Sequence, residues 1–306
     1  MNIVYYKQLG YFNALYRNLI LKFYKKILRK KKIKFNTTLN TNYNIFSWDP
    51  SGSEIFVTNC FSDWGNEYFF LQTLKDRPKN IFLDIGCHTG YYACLFKKVF
   101  NRIVGFEPSN KCHQELELLK SENNNFTYHK CFLGNENKEI ISEQFADGWA
   151  KDKNDLSGRI DSGNRGQNSF EEKSSVHKLD DFLKNMKMND EISGIKIDVD
   201  GIDLDVVRGS METIKKFRPS IIIEHYSQDL VSIMNKIDYQ IFSCTSTKDK
   251  PYNITFEKLE VYDSKKWVKM TVCVPSEYVP KLSYPIKIDG NILFGINKKL
   301  ILKIFS

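Results

Sequence analysis

Two short apolar runs, residues 81–85 (IFLDI) and 103–106 (IVGF), stand out from the polar sequence around them. Both are rich in β-branched or aromatic residues and lack polar alternation, which predicts buried parallel strands. Between them, residues 91–100 have helical spacing, so that Tyr92, Leu95, Phe96 and Val99 can share one face. The rhythm continues downstream. Residues 126–132, 195–199 and 220–224 predict strands, and residues 110–121, 203–217 and 228–237 predict helices, with a shorter helix from about Leu179. Upstream, residues 66–75 predict a helix stopped by Pro78, and residues 36–62 read as short strands with a turn at 49–52. Further strands are expected at 136–145, 239–244, 267–274 and 291–297, before a short apolar tail at 300–305. Strands alternating with helices predict an α/β fold, and no internal repeat is evident.

The chemistry starts in the turn after the first core strand. That strand carries Asp84, then Gly86, Cys87, His88, Thr89 and Gly90 form a glycine turn, and the second strand ends in Glu107 and Pro108. A strand, a glycine turn, a helix and a second strand tipped by an acid form the front half of a nucleotide-binding unit. The Glu107 carboxylate can accept hydrogen bonds from both ribose hydroxyls of an adenosine. A dinucleotide would need G-x-G-x-x-G, but His88 stands where the second glycine belongs. A turn of this kind beside an acid suits an adenosine ligand without phosphate, namely S-adenosylmethionine. Cys87 either brings a thiol near that ligand or is a small residue that fits the turn. By sheet order, Cys131 and Phe132 at the end of the third strand are expected against the adenine.

Composition sharpens this picture. At 306 residues, with 42% hydrophobic and 14% aromatic content, the chain forms one large domain or one domain with appendages. Its seven scattered cysteines lack a C-x-x-C pair, which points to a reducing, cytoplasmic compartment and away from a zinc site or disulfide frame. The net charge of +8 is concentrated at one end: ten Lys/Arg and no Asp/Glu precede Asp49, leaving 35 basic and 37 acidic residues in the remainder.

Residues 1–35 read as a basic amphipathic helix, with Leu9, Phe12, Tyr16, Leu19, Phe23 and Ile27 on one face. Lys22, Lys25, Lys26, Arg29, Lys30, Lys31 and Lys32 crowd the other faces and the end. There is no apolar run of spanning length and no signal-peptide cleavage pattern. Three partners suit such a segment: an anionic membrane surface on the inner face of the bilayer, the rest of the protein or another copy, and nucleic acid.

A second acidic cluster follows the fourth and fifth core strands: Asp198 and Asp200 after one, Glu224 and His225 after the other. In an open α/β sheet, ligands bind at the carboxyl ends of the strands, so these residues border the acceptor side. A hydroxyl acceptor needs orienting and a base for its proton, which His225 or a carboxylate would supply. Alternatively the acids hold a divalent cation, or they cap the next helix and satisfy loop amides. Asp203 and Asp205 read as helix-start charges. Residues 148–170, rich in Gly, Asn, Asp and Ser, read as a lid over the substrate side.

Taken together, FLDIGCHTGYYA, IVGFEPS, VHKLDDFL, ISGIKIDVDGIDLDVVRGS and RPSIIIEHY resemble the FkbM-type methyltransferase family, in order and spacing, over residues 66–244. In the family pattern the fourth motif has glutamates where this chain carries Asp200 and Asp203, so each carboxylate here reaches one methylene less. The resemblance implies a Rossmann-like sheet of seven strands, the last antiparallel and supplied by residues 291–297, flanked by helices. It implies that Asp84, Gly86, Gly90 and Glu107 bind S-adenosylmethionine, and that a sugar or natural-product hydroxyl is O-methylated. Residues 1–35 and an insertion at 245–289 fall outside the family core. The resulting expectation is O-methylation of a glycan precursor, with no metal ligands assigned. An RNA-modifying methyltransferase and a non-catalytic binding protein on the same fold are the rivals.

Overall fold

The structure is a computed structural model that describes residues 11–36, 42–46, 48–58, 63–145, 148–154, 169–188, 190–247 and 249–281. The chain forms two compact units, one made of Met1–Lys75 and Tyr226–Ser306, the other of Asp76–His225.

The first unit begins with helix α1 (Tyr11–Lys22), which continues as a π-helical turn over Phe23–Ile27. Helix does not extend to residue 35. Strand β1 (Lys32–Asn36) pairs antiparallel with β2 (Asn42–Phe46). The alternation Lys32, Ile33, Lys34 has the period of a strand and buries Ile33. The turn expected at 49–52 is instead the start of helix α2 (Pro50–Thr58). Asp49 precedes the helix and Pro50 opens it, where its missing N–H costs nothing. Helix α3 (Asn66–Thr73) is buried on most faces, and Asn66 Oδ1 accepts from the Cys244 N–H at 2.9 Å.

The second unit is built on five parallel strands: β3 (Ile81–Ile85), β4 (Arg102–Phe106), β5 (Phe126–His129), β10 (Ile192–Ile197) and β11 (Ser220–Ile223), in the order β11-β10-β3-β4-β5. β3, β10 and β11 are buried at every position, as their largely apolar runs predict, with Asp84 and Lys196 buried among them. Helices α4 (Tyr91–Phe96) and α5 (Asn110–Glu122) follow β3 and β4. α4 is shorter than its pattern: after Phe96 the chain turns, with Val99 and Phe100 N–H groups both donating to the Phe96 carbonyl.

The strand expected over 126–132 is two strands. After β5 the chain leaves the parallel sheet, and β6 (Phe132–Leu133) joins β7 (Lys138–Phe145), β8 (Ala150–Asp152) and β9 (Ser169–His177) in a second sheet of order β6-β9-β7-β8. The ends of the 148–170 stretch belong to β8 and β9, and its middle, 155–168, lies outside the described residues. Helix α6 (Leu179–Asn185) then leads to β10. The helix expected over 203–217 is broken into α7 (Asp203–Arg208) and α8 (Met211–Phe217). The break falls at Gly209, where a Cβ would stand 1.9 Å from the Gly134 carbonyl oxygen.

Back in the first unit, α9 (Gln228–Lys236) is capped by Ser227, whose Oγ accepts from the Leu230 N–H at 3.2 Å. β12 (Tyr239–Thr247), β13 (Lys250–Lys258), β14 (Lys266–Val268) and β15 (Thr271–Pro275) follow, and β12 pairs antiparallel with each of the other three. The stretch read as an insertion thus supplies β15, buried at all five positions. The strand expected at 291–297 and the tail at 300–305 lie outside the described residues.

Candidate active site

The site belongs to the second unit, where the sheet brings four loops to one edge. β3 and β10 run in register, with Asp84 opposite Lys196 and Ile85 opposite Ile197. Beyond the strand ends, the Asp198 N–H donates to the Ile85 carbonyl at 3.1 Å and the Glu224 N–H to the Ile197 carbonyl at 3.0 Å. The Gly86 and Cys87 N–H groups both donate to the Phe106 carbonyl, at 2.9 and 3.1 Å. The glycine turn, Glu107, Asp198 and Glu224 are therefore fixed side by side by backbone hydrogen bonds.

The glycines have a different reason from the one their spacing suggests. Gly86 has φ +73°, and a Cβ there would lie 1.9 Å from the Asp198 carbonyl oxygen. Gly90 has φ +81°, and its Cβ would lie 2.3 Å from Leu119 Cδ2. Close approach of the chain to itself, together with a left-handed backbone, requires both. His88 (φ 48°) and Asp200 (φ 47°) are also left-handed without being glycine. Two strained residues thus lie in the two loops of this edge, the kind of placement that marks functional sites.

Glu107 is buried and its two oxygens point in defined directions. Oε2 accepts from the His88 N–H at 2.7 Å and Oε1 from the Ser109 N–H at 2.8 Å. A carboxylate offers about four lone-pair positions, so about two remain for a ribose diol. Burial pushes the Glu107 carboxyl above its ordinary range, against the pull of His88 and the two amides. Beneath the turn, Asp84 is fully buried, with the Lys196 ammonium 3.7 Å from Oδ1. Burial pushes it up to about 6, against the attraction of Lys196. The half-satisfied Glu107 carboxylate at the turn fits a ligand that carries a ribose diol, and the Asp84–Lys196 pair beneath it supports the turn.

Lys196 is the residue that reading the sequence did not single out. It is buried in the middle of β10, and its Nζ donates to the Gly86 carbonyl at 2.6 Å. The ammonium lies 3.7 Å from Asp84 Oδ1 and 3.3 Å from Asp198 Oδ2, and 5.6 Å from the centre of the Tyr92 ring. Burial pulls Lys196 down, but Asp198 and Asp84 outweigh it and keep the ammonium charged. The available signal is a lone charge inside a largely apolar strand, which demands a partner.

Among the predicted acceptor-side residues, Asp198 and Glu224 come together. Burial pushes the Asp198 carboxyl up, but Lys196 and a side-chain hydrogen bond from Glu224 prevail, holding it below the usual range. His88 adds to that pull and also acts on Glu107, so its ring is felt on both sides of the site. Asp200 is half-buried two residues on, and His225 is half-buried after the exposed Glu224. Asp203 is more than a helix-start charge. It is buried, its oxygens accept from the Val199 and Gly201 N–H groups at 3.2 and 3.3 Å, and it holds the loop that carries Asp200. Asp205 is half-buried and paired with Arg208 at 3.0 Å.

The remaining predicted residues have contacts within the protein. Cys87 is buried where Gly105 makes room for it: a Cβ on Gly105 would lie 2.8 Å from Cys87 Sγ. Burial raises its thiol well above the ordinary value. The Pro108 carbonyl accepts from Gln144 Nε2 at 3.4 Å. Cys131 is buried, with its thiol pushed up to about 12 by burial. Phe132 packs with Ile140, Val176 and Ala150 in the core of the second sheet. The end of β5 instead stacks His129 on Phe106, with ring centres 5.5 Å apart. Among the described residues, no group of three His, Cys, Asp or Glu is arranged to hold a metal ion.

A parallel sheet with a glycine turn, an acid on the second strand and further acids at the same edge defines an α/β protein of the methyltransferase class. Residues 84–241, just over half of the chain, match the Methyltransferase FkbM domain, and the chain belongs to that family. Among solved structures it is similar to methyltransferase FkbM from Methylobacillus flagellatus KT, with 19% identity, 73% of this chain and 54% of that chain covered, and a TM-score of 0.39. The chain thus spans about half the length of that protein. Magnesium protoporphyrin IX methyltransferase from Synechocystis PCC 6803, with bound SAM, is similar at 10% identity, 85% and 97% coverage and a TM-score of 0.35. Precorrin-6y C5,15-methyltransferase from Geobacter metallireducens GS-15 is similar at 10% identity, 68% and 87% coverage and a TM-score of 0.35. No curated protein matches the chain.

Proposed function

We propose that the protein is an S-adenosylmethionine-dependent O-methyltransferase acting on a hydroxyl of a sugar or glycan precursor. The observation that carries this reading is Asp198, fixed beside the glycine turn, hydrogen-bonded by Glu224 and held ionised by Lys196. Membership of a methyltransferase family supports the reaction class. When bound, the cofactor supplies an electrophilic methyl group on a sulfonium, with a neutral thioether as leaving group.

The chain's own residues then have three tasks. Glu107 takes the ribose diol on its remaining lone pairs, and the turn from Gly86 to Gly90, with Cys87 and His88, forms the wall against which the nucleoside rests. Asp84 supplies negative charge beneath the turn, balanced by Lys196. Asp198, ionised at neutral pH, accepts the hydrogen bond of the acceptor hydroxyl, aims its oxygen lone pair, and takes the proton as the new C–O bond forms. The exposed Glu224 carboxyl, already the donor to Asp198, hands its own proton to solvent or to the neighbouring His225 and so becomes free to receive the next one. A polyhydroxylated acceptor suits an edge that presents Asp198, Asp200, Glu224 and His225, because carboxylates accept from several hydroxyls at once.

Asp198→Asn keeps the shape and removes the base. Turnover is expected to fall about 10²- to 10⁴-fold with cofactor affinity unchanged by calorimetry; full activity would overturn the assignment of Asp198. Labelled S-adenosylmethionine incubated with cell fractions tests the acceptor. Label in a carbohydrate fraction is expected, and label confined to RNA or protein would overturn the substrate class.

A further inference from the structure

Helix α1 and its π-helical continuation have two opposed faces, both apolar, and only one is used. Ala14 and Leu21 are buried, and the helix packs on α2 through that side. Arg17 Nε donates to the Phe56 carbonyl at 2.7 Å while its guanidinium lies 4.6 Å from the Phe56 ring centre. Lys25 Nζ donates to Ser53 Oγ at 2.7 Å. These contacts fix the rotation of the helix. At 3.6 residues per turn, Phe12, Tyr16, Leu19 and Phe23 point roughly opposite to Ala14 and Leu21.

The stripe that reads as a packing face therefore looks outward. Phe12, Leu15, Tyr16, Leu19, Phe23, Ile27 and Leu28 are between 44% and 88% exposed. The π-helical turn spaces Phe23 and Ile27 four residues apart within the same element and keeps the stripe running. Seven large exposed side chains along this helix and its end exceed what a soluble surface ordinarily leaves uncovered. Beside and beyond them, Lys22, Lys26, Arg29, Lys30, Lys31 and Lys32 are all exposed, and no acid precedes Asp49.

We propose that this face docks on the surface of an anionic lipid bilayer, lying in the headgroup plane with its apolar stripe down and its basic residues on lipid phosphates. Charge decides between occupants. A second copy meeting the same face would set basic residue against basic residue with no acid to offset them. RNA would use the cations but leave Leu15, Leu19 and Ile27 without a role. Anionic lipid uses both features at once. The helix does not cross the bilayer, since no helix among the described residues is long and apolar enough.

Flotation of the full chain with vesicles tests this without any need for methyl transfer. The protein is expected to float with phosphatidylcholine vesicles containing a third phosphatidylglycerol, and to bind pure phosphatidylcholine at least about tenfold more weakly. Leu19→Glu with Phe23→Glu should lower binding to the anionic vesicles about tenfold or more, as should Lys26→Gln with Arg29→Gln and Lys30→Gln. All these positions are exposed, so an unchanged thermal transition is expected and shows that the variants fold. No flotation with anionic vesicles, or equal flotation of the Leu19→Glu/Phe23→Glu protein, would overturn the proposal. So would a concentration-dependent dimer that the same two substitutions abolish, or RNA binding lost only in the charge variant.

Discussion

The Lys196 ammonium reaches across from β10 to donate to the carbonyl of Gly86, 2.6 Å away, and so ties the glycine turn to the neighbouring strand. The same charge is the counter-ion of Asp84 and Asp198. Lys196→Met would keep the stem and remove the charge, leaving one carboxylate buried and another half-buried without it. Removing one partner of a buried ion pair costs about 3–5 kcal/mol, and a loss of that size in urea unfolding is the expected outcome. Lys196→Met combined with Asp84→Asn should recover part of it. A single variant within about 0.5 kcal/mol of the parent would show that the ammonium is dispensable.

Glu107→Ala is expected to weaken S-adenosylmethionine binding by an order of magnitude or more, read by calorimetry. It also strips the His88 and Ser109 N–H groups of their acceptor. Glu107→Gln retains one acceptor oxygen but sets its amide NH2 against the other backbone N–H, so stability should fall less than in the alanine variant while affinity still falls. Because burial raises the Glu107 carboxyl, affinity should also decline as the pH is lowered and that group takes up a proton. Unchanged affinity in both variants would remove Glu107 from the ribose.

Gly86→Ala should destabilise the protein by at least about 2 kcal/mol, because it combines a left-handed backbone with a Cβ driven into the Asp198 carbonyl. Gly134→Ala is the control. Its Cβ meets only Val176 Cγ1 at 3.0 Å, with no positive φ, and should cost roughly 1 kcal/mol or less. Equal thermal shifts for the two would contradict the close approach of the β3 and β10 loops.

Much of this site is legible from residues alone, for a physical reason. The β3–turn–α4–β4 unit is local, and its strands are buried on both faces, so its apolar runs and glycines carry the whole signal. Asp198 and Glu224 were legible as strand-end acids, although their mutual hydrogen bond was not. What the residues hid depends on contacts distant in sequence. Gly209 lies at the break in a continuous helical pattern, where the Gly134 carbonyl leaves no room for a side chain. β9 reads as loop because most of its side chains face solvent and show no apolar alternation. Lys196 hides in plain sight, since its partners lie on strands more than a hundred residues away or past the end of its own. β1 is masked differently: Lys32, Ile33, Lys34 and Phe35 alternate at period two, but the run of lysines resembles a helix tail.

A last test concerns Glu67, which lies in the first unit. It is fully buried; its Oε1 accepts from the Asp63 N–H at 2.9 Å, and Lys269 lies 3.4 Å from Asp63 and 3.0 Å from Glu54. Burial, with Asp63 nearby, raises its carboxyl to about 8, so the folded protein holds this proton at neutral pH while the unfolded chain, near the ordinary 4.5, does not. Between those two values the native state binds more protons than the unfolded state, so stability must fall as pH rises. The contribution is fully present below the ordinary value and is lost by the time the pH passes the folded one. The slope from this group approaches about 1 kcal/mol per pH unit in the middle of the window. Glu67→Gln keeps the acceptor for the Asp63 N–H and has no proton to lose, so its urea midpoint should change less between pH 5 and 8, a window set by the folded and unfolded values. Parallel pH profiles for the two proteins would mean that Glu67 is ionised in the folded state and that Lys269 outweighs its burial.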